Sequence, residues 1–92
     1  MRYVYTEEQL NRAVIVLLST YRVHSVDVKI NPMKMTFDFF IKVYKDEYNP
    51  INKTNEVKQF VCHYTFYTHN NAQYFYERLT GKSWGEIYKE NV

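Results

Sequence analysis

The sequence predicts an α+β fold, a single compact domain over residues 1–92 with elements in the order α-β-β-β-α-α. Three observations carry that reading. Apolar residues recur at three- and four-residue steps up to about Tyr21, and after Ser25 the period changes to two. The alternating region falls into three runs, separated by an asparagine-proline turn and by a polar stretch. Capping boxes open helices on both sides of it. The expected architecture is a three-stranded antiparallel sheet with the helices packed on one face.

The first helix is expected from Glu7 to about Arg22. Thr6 and Gln9 make its capping box, Tyr5 and Leu10 can staple its entry, and Glu7 and Glu8 complement the dipole of its first turn. Leu10, Ala13, Val14, Leu17, Leu18 and Tyr21 form its core stripe, and Ile15 and Val16 fall off it. Val26, Val28 and Ile30 alternate with Asp27 and Lys29 in a short first strand, which Asn31-Pro32-Met33-Lys34 ends in a turn. In the second strand Met35, Phe37, Phe39, Ile41 and Val43 share the core face, leaving Phe40 and Tyr44 on the other.

Lys45 to Asn55, with Asn49-Pro50 in its middle, reads as an exposed loop. Glu56 to Tyr67 reads as the third strand, with Phe60, Cys62, Tyr64 and Phe66 on one face and Val57, Val61, His63 and Thr65 on the other. Asn70 to Gln73 is a capping box for a helix running to about Thr80, where Gly81 suits a left-handed stop. Ser83-Trp84-Gly85-Glu86 is another, for a short last helix with Trp84, Ile87 and Tyr88 as apolar contacts.

Composition narrows the function. A chain 46% hydrophobic and 18% aromatic has enough apolar surface to fold rather than stay disordered. The net charge of +2 is spread along the chain with no basic stripe of the kind that phosphate binding uses. Cys62 is the single cysteine, so no intramolecular disulfide forms, and the expected setting is cytoplasmic. The longest apolar run, Ala13 to Leu18, is too short for a membrane span, and the first residues do not resemble a signal peptide.

No motif for catalysis, metal or cofactor emerges. Gly81-Lys82-Ser83 looks like the end of a phosphate loop, but Tyr76 stands where the loop needs its first glycine. Cys62 and His63 are neighbours on a strand and point to opposite faces, so they cannot pair. His24, His63 and His69 have no metal-ligand spacing. The element order resembles that of the double-stranded-RNA-binding domain, which implies a lysine cluster at the start of the last long helix. The stretch His69 to Tyr74 has no lysine, so that mode is not expected.

The positive signal is a surplus of aromatics among ten tyrosines and six phenylalanines. Phe40, Tyr44, Tyr48, Tyr74 and Tyr76 lie off the core pattern and are the expected protein-binding residues, because rigid rings concentrate binding energy. Ile15 and Val16 are the expected self-association surface of a homodimer. The reading is a non-catalytic protein-binding module. Residues with AT-rich codons (Phe, Tyr, Met, Ile, Asn, Lys) outnumber those with GC-rich codons (Gly, Ala, Arg, Pro) by 40 to 10. That points to a low-GC bacterium, its phages or plasmids, and to an inhibitor of a host or immune-system protein, of the anti-CRISPR type. Two other readings remain: nucleic-acid binding by Phe40, Lys42 and Tyr44 on an open sheet face, and small-ligand binding at a tyrosine-lined dimer seam.

Overall fold

The computed structural model describes residues 4–85. Within them the order is α1 (Glu7–Thr20), β1 (Arg22–Asn31), β2 (Thr36–Asn49), β3 (Thr54–Phe66) and α2 (His69–Thr80). The strands form one antiparallel sheet in the spatial order β1-β2-β3. This is the small single-domain α+β fold that the hydrophobic spacing predicts, with both helices on one face of the sheet. The last helix expected from Ser83 onward lies outside the described residues beyond Gly85.

The capping box at Thr6 forms as read: its hydroxyl accepts the Gln9 amide at 3.2 Å, and Gln9 Oε1 accepts the Thr6 amide at 3.0 Å. The helix stops two residues earlier than its spacing suggests. Tyr21 already has extended backbone angles, and its amide bonds the Leu17 carbonyl at 2.9 Å, so the chain turns straight into a β-branched strand. Leu10, Val14 and Leu17 are buried, but Leu18 is 51% exposed, a correction to its place in the core stripe. At 100° per residue it sits at the shoulder of that stripe, and only the groove beside β1 lies next to it.

The second helix starts at a different cap from the one the sequence suggests. The Thr68 hydroxyl, not the Asn70 side chain, accepts the Asn71 amide at 3.2 Å. Asn71 itself is buried and spans the fold, with its Oδ1 accepting the Tyr5 amide at 2.7 Å and its Nδ2 donating to the Tyr5 carbonyl at 3.0 Å. One amide side chain thus ties the entry of α1 to the first turn of α2. Gly81 ends α2 at φ 72°, as a left-handed stop requires.

Between helices and sheet lies an aromatic core. Phe39, fully buried near the start of β2, is ringed by Phe66, Phe75, Tyr76 and Trp84 at centroid distances of 5.1 to 6.5 Å. The Trp84 indole donates to His69 Nε2 at 2.9 Å, so the tryptophan brings its polar tip in with a partner.

The largest departure from the sequence reading is the segment Lys45 to Asn55. Only residues 50–53 are an exposed turn; 45–49 and 54–55 are strand, because β2 and β3 continue pairing in unbroken register from Phe37↔Phe66 to Asn49↔Thr54. β1 pairs β2 only as far as Arg22↔Tyr44. Residues 45–58 therefore form a two-stranded arm reaching past the body of the domain. Wet on both faces, the arm needs no apolar alternation, and so it reads as polar loop in sequence.

Candidate functional site

Alternation places the even-numbered residues of β2 and the odd-numbered residues of β3 on the sheet face away from the helices. Three of the aromatic residues singled out by sequence, Phe40, Tyr44 and Tyr48, share that face at four-residue steps along β2. Val61 lies opposite Lys42, diagonally between Phe40 and Tyr44, and Val57 lies opposite Asp46, diagonally between Tyr44 and Tyr48. Diagonal neighbours sit about 7–8 Å apart. The five side chains make a zigzag apolar stripe from the middle of the sheet to the end of the arm, about 27 Å long at ~3.4 Å per residue. Tyr48, Val57 and Val61 are 62%, 61% and 59% exposed, while Phe40 and Tyr44 are half-buried.

Charged groups of both signs border the stripe. Arg22, Lys29 and Lys42 face Asp27, Asp38 and Asp46 across the three strands, and Arg22 bonds Asp46 at 3.2 Å. Asp38 accepts the Thr65 hydroxyl at 3.0 Å and lies 3.7 Å from His63 Nε2. The His63 ring stacks on Phe40 at 4.7 Å with planes 1° apart, and Lys29 Nζ stands 5.4 Å from the Phe40 centroid. Since β1 and β3 flank β2, these groups cover Phe40 from opposite sides. A nucleic-acid base could stack on Phe40 only by displacing one of them. Tyr44 meets His24, the extra residue in the β1 bulge, edge-on at 5.4 Å.

The other sequence-predicted residues do not join this face. Tyr74 lies half-buried on α2 beneath the Arg78 guanidinium, 5.1 Å from its ring centroid. Tyr76 is only 7% exposed and packs on Phe39 and Trp84, so its expected place at the surface is corrected. In a twelve-residue helix lying between a sheet and Trp84, the apolar contact arc is wider than the Ala72/Phe75/Leu79 stripe alone. Ile15 and Val16 are exposed on α1, apart from the open face. Sequence reasoning missed Val57 and Val61 as members of the patch. Their parity was legible, but their place beside Tyr44 and Tyr48 depends on the hairpin register.

At the arm, the Asn49 side-chain amide donates to Glu56 at 2.9 Å and holds its carboxyl below the ordinary carboxylate range, with Lys58 at 3.4 Å adding to the effect. On the helix face of β3, burial raises the Tyr64 phenol above its usual value, and Cys62 and Tyr21 add to the shift. Among the described residues no three His, Cys, Asp or Glu side chains gather as metal ligands, and Cys62 is a half-buried free thiol facing away from His63. A cavity of about 700 Å³ opens between β1 and the helices, lined both by apolar residues such as Leu18, Val26 and Leu79 and by polar ones such as Arg22, Asp27 and Lys82. No helix among the described residues is long and apolar enough to cross a membrane. No protein-family model, curated protein or solved structure matches the chain.

Proposed function

We propose that the chain is a protein-binding module acting without chemistry of its own, by covering part of a partner's surface with its open sheet face. The observation that carries this reading is the stripe Phe40, Val61, Tyr44, Val57 and Tyr48: contiguous, apolar, largely exposed and bordered by balanced charge. An apolar centre with a polar rim is the anatomy of a protein interface, and tyrosine is over-represented where binding energy concentrates. Balanced charge favours a protein surface over a polyanion, which asks for one sign. Inhibition of a host or immune-system protein by steric occupation is the physiological version of this proposal, and the arm is shaped to reach into a cleft.

The test is capture from lysate of a low-GC bacterium by tagged protein, comparing the wild type with the double variant Tyr44→Ala/Tyr48→Ala. A stoichiometric protein partner retained by the wild type should bind the variant at least 30-fold more weakly, the loss of about 2 kcal/mol or more expected at a tyrosine hot spot. The variant should melt within a few degrees of the wild type. Capture unchanged by the substitutions, or an eluate with the absorbance ratio of nucleic acid, would defeat the reading.

A further inference from the structure

β3 is an edge strand of unusual length and regularity. Its thirteen residues pair with β2 on one side with no register shift, and among the described residues no strand pairs with the other side. The opposite edge, β1, is broken by a bulge between Val23 and Ser25. Edges that must stay single are blunted by bulges, prolines or inward charges, because a free row of backbone donors and acceptors recruits another strand. β3 has no bulge and no proline, and its one lysine, Lys58, is ion-paired with Glu56 at 3.4 Å. Its exposed apolar residues are Val57 and Val61 on the open face and Phe60 on the helix face.

We propose that β3 is a homodimer seam, pairing antiparallel with β3 of a second copy about a two-fold axis through Gln59. Such pairing sets residues equidistant from the axis against each other, so the strand's own pattern selects the axis. At Gln59 each exposed valine meets a valine, Val57 of one copy opposite Val61 of the other, twice. The same register lays the Lys58 stem against Phe60 and sets Glu56 opposite Cys62, with no like charges face to face. Eleven residues, 54–64, overlap. Neighbouring axes do worse. An axis at Lys58 opposes that lysine to itself, and one at Phe60 sets the valines against Gln59 and His63. An axis at Val61 leaves Val57 opposite Thr65, and one at Val57 shortens the overlap to residues 54–60. With the axis perpendicular to the sheet, both open faces fall on the same side of a six-stranded sheet, and the two apolar stripes meet at the seam.

The seam is about 37 Å long at ~3.4 Å per residue and about 10 Å deep, the spacing of a sheet layer. The two copies together bury roughly 750 Å², less than the ~1,200 Å² of a stable interface. The dimer is therefore weak and concentration-dependent, and forms towards the upper end of the protein concentrations tested below.

Sedimentation velocity from 5 to 500 µM tests this on the full chain. The wild type should pass from monomer towards twice that mass, whereas Val57→Lys/Val61→Lys, changed only at exposed positions, should associate at least tenfold more weakly while keeping its melting temperature. Register is read in a Cys62→Ser background. Val57→Cys mixed with Val61→Cys should form a disulfide on mild oxidation, and either alone should not. A monomer at 500 µM, association untouched by the two lysines, or Val57→Cys cross-linking as fast to itself would each overturn the seam. Tyr44→Ala/Tyr48→Ala should leave self-association unchanged, so failure of this proposal and failure of the partner-binding reading are distinguishable.

Discussion

Met35 and Lys53 adopt left-handed backbone angles, φ 56° and 53°, at the same place in two copies of one turn. In Asn31-Pro32-Met33-Lys34-Met35 the asparagine Oδ1 accepts the amides of Met33 and Lys34, both at 3.1 Å. In Asn49-Pro50-Ile51-Asn52-Lys53 it accepts those of Ile51 and Asn52 at 2.9 and 3.3 Å. Each asparagine takes the amides two and three residues on, the proline fixes the next φ, and the fifth residue turns left-handed to re-enter the sheet. The left-handed conformation costs a side chain about 1–2 kcal/mol, and glycine avoids that at an entropic cost of about 0.5–1 kcal/mol. Lys53→Gly should therefore stabilise the protein by about 0.5 kcal/mol, and the β-branched Lys53→Val should destabilise it by about 1 kcal/mol or more. Urea unfolding of the two variants checks both signs. The motif is legible in sequence at both sites. Asn31-Pro32 reads as a turn because alternating strands flank it, while Asn49-Pro50 is masked by the charged residues around it.

At the scale of elements, the arm formed by β2 and β3 is held by its backbone ladder against its own charges. Lys45 is opposite Lys58 and Glu47 opposite Glu56, and like charges set directly across a ladder repel. Relief comes along β3 from the Glu56–Lys58 pair, and diagonally across the hairpin from the Asn49 amide on Glu56. Glu47→Thr removes one repulsive pair and places a better strand former there. It should stabilise the arm locally by about 0.5 kcal/mol, read as roughly twofold slower amide exchange in residues 46–57 with exchange in the body unchanged. Faster exchange would mean that Glu47 makes a favourable diagonal contact with Lys58 that outweighs the repulsion. Charge patterning of this kind is why the arm was not legible as strand. Residues 37–43 announce themselves through one buried face, and residues 45–49 have none. Helix α1 shows the converse. Its cap and buried stripe were written plainly in Thr6, Gln9, Leu10, Val14 and Leu17, but its stop at Thr20 has no glycine to mark it and is set by the strand that follows.

The whole molecule measures 47 × 30 × 24 Å, with a radius of gyration of 15.2 Å. A compact chain of this length would have about 12 Å, so the protein is elongated, and the arm lies beyond the point where β1 stops pairing with β2. All of the buried hydrophobic residues fall outside 46–57. Fold and candidate site are thereby separable: the body is specified by apolar alternation, and two of the five stripe residues, Tyr48 and Val57, stand on an arm the core does not need. Replacing residues 46–57 with Asn-Gly keeps Lys45 opposite Lys58 across a two-residue hairpin turn. The shortened chain should fold with a melting temperature within about 5 °C of the full chain, since under about 1 kcal/mol of body stability is at stake. It should also lose capture of the partner, because Tyr48 and Val57 are gone and Tyr44 no longer has apolar neighbours on both sides. Thermal unfolding and capture measured on the same preparation separate the alternatives. A large fall in melting temperature would make the arm part of the folding unit, and full capture by a stably folded short chain would move the binding surface off the arm and onto Phe40 and the body of the sheet.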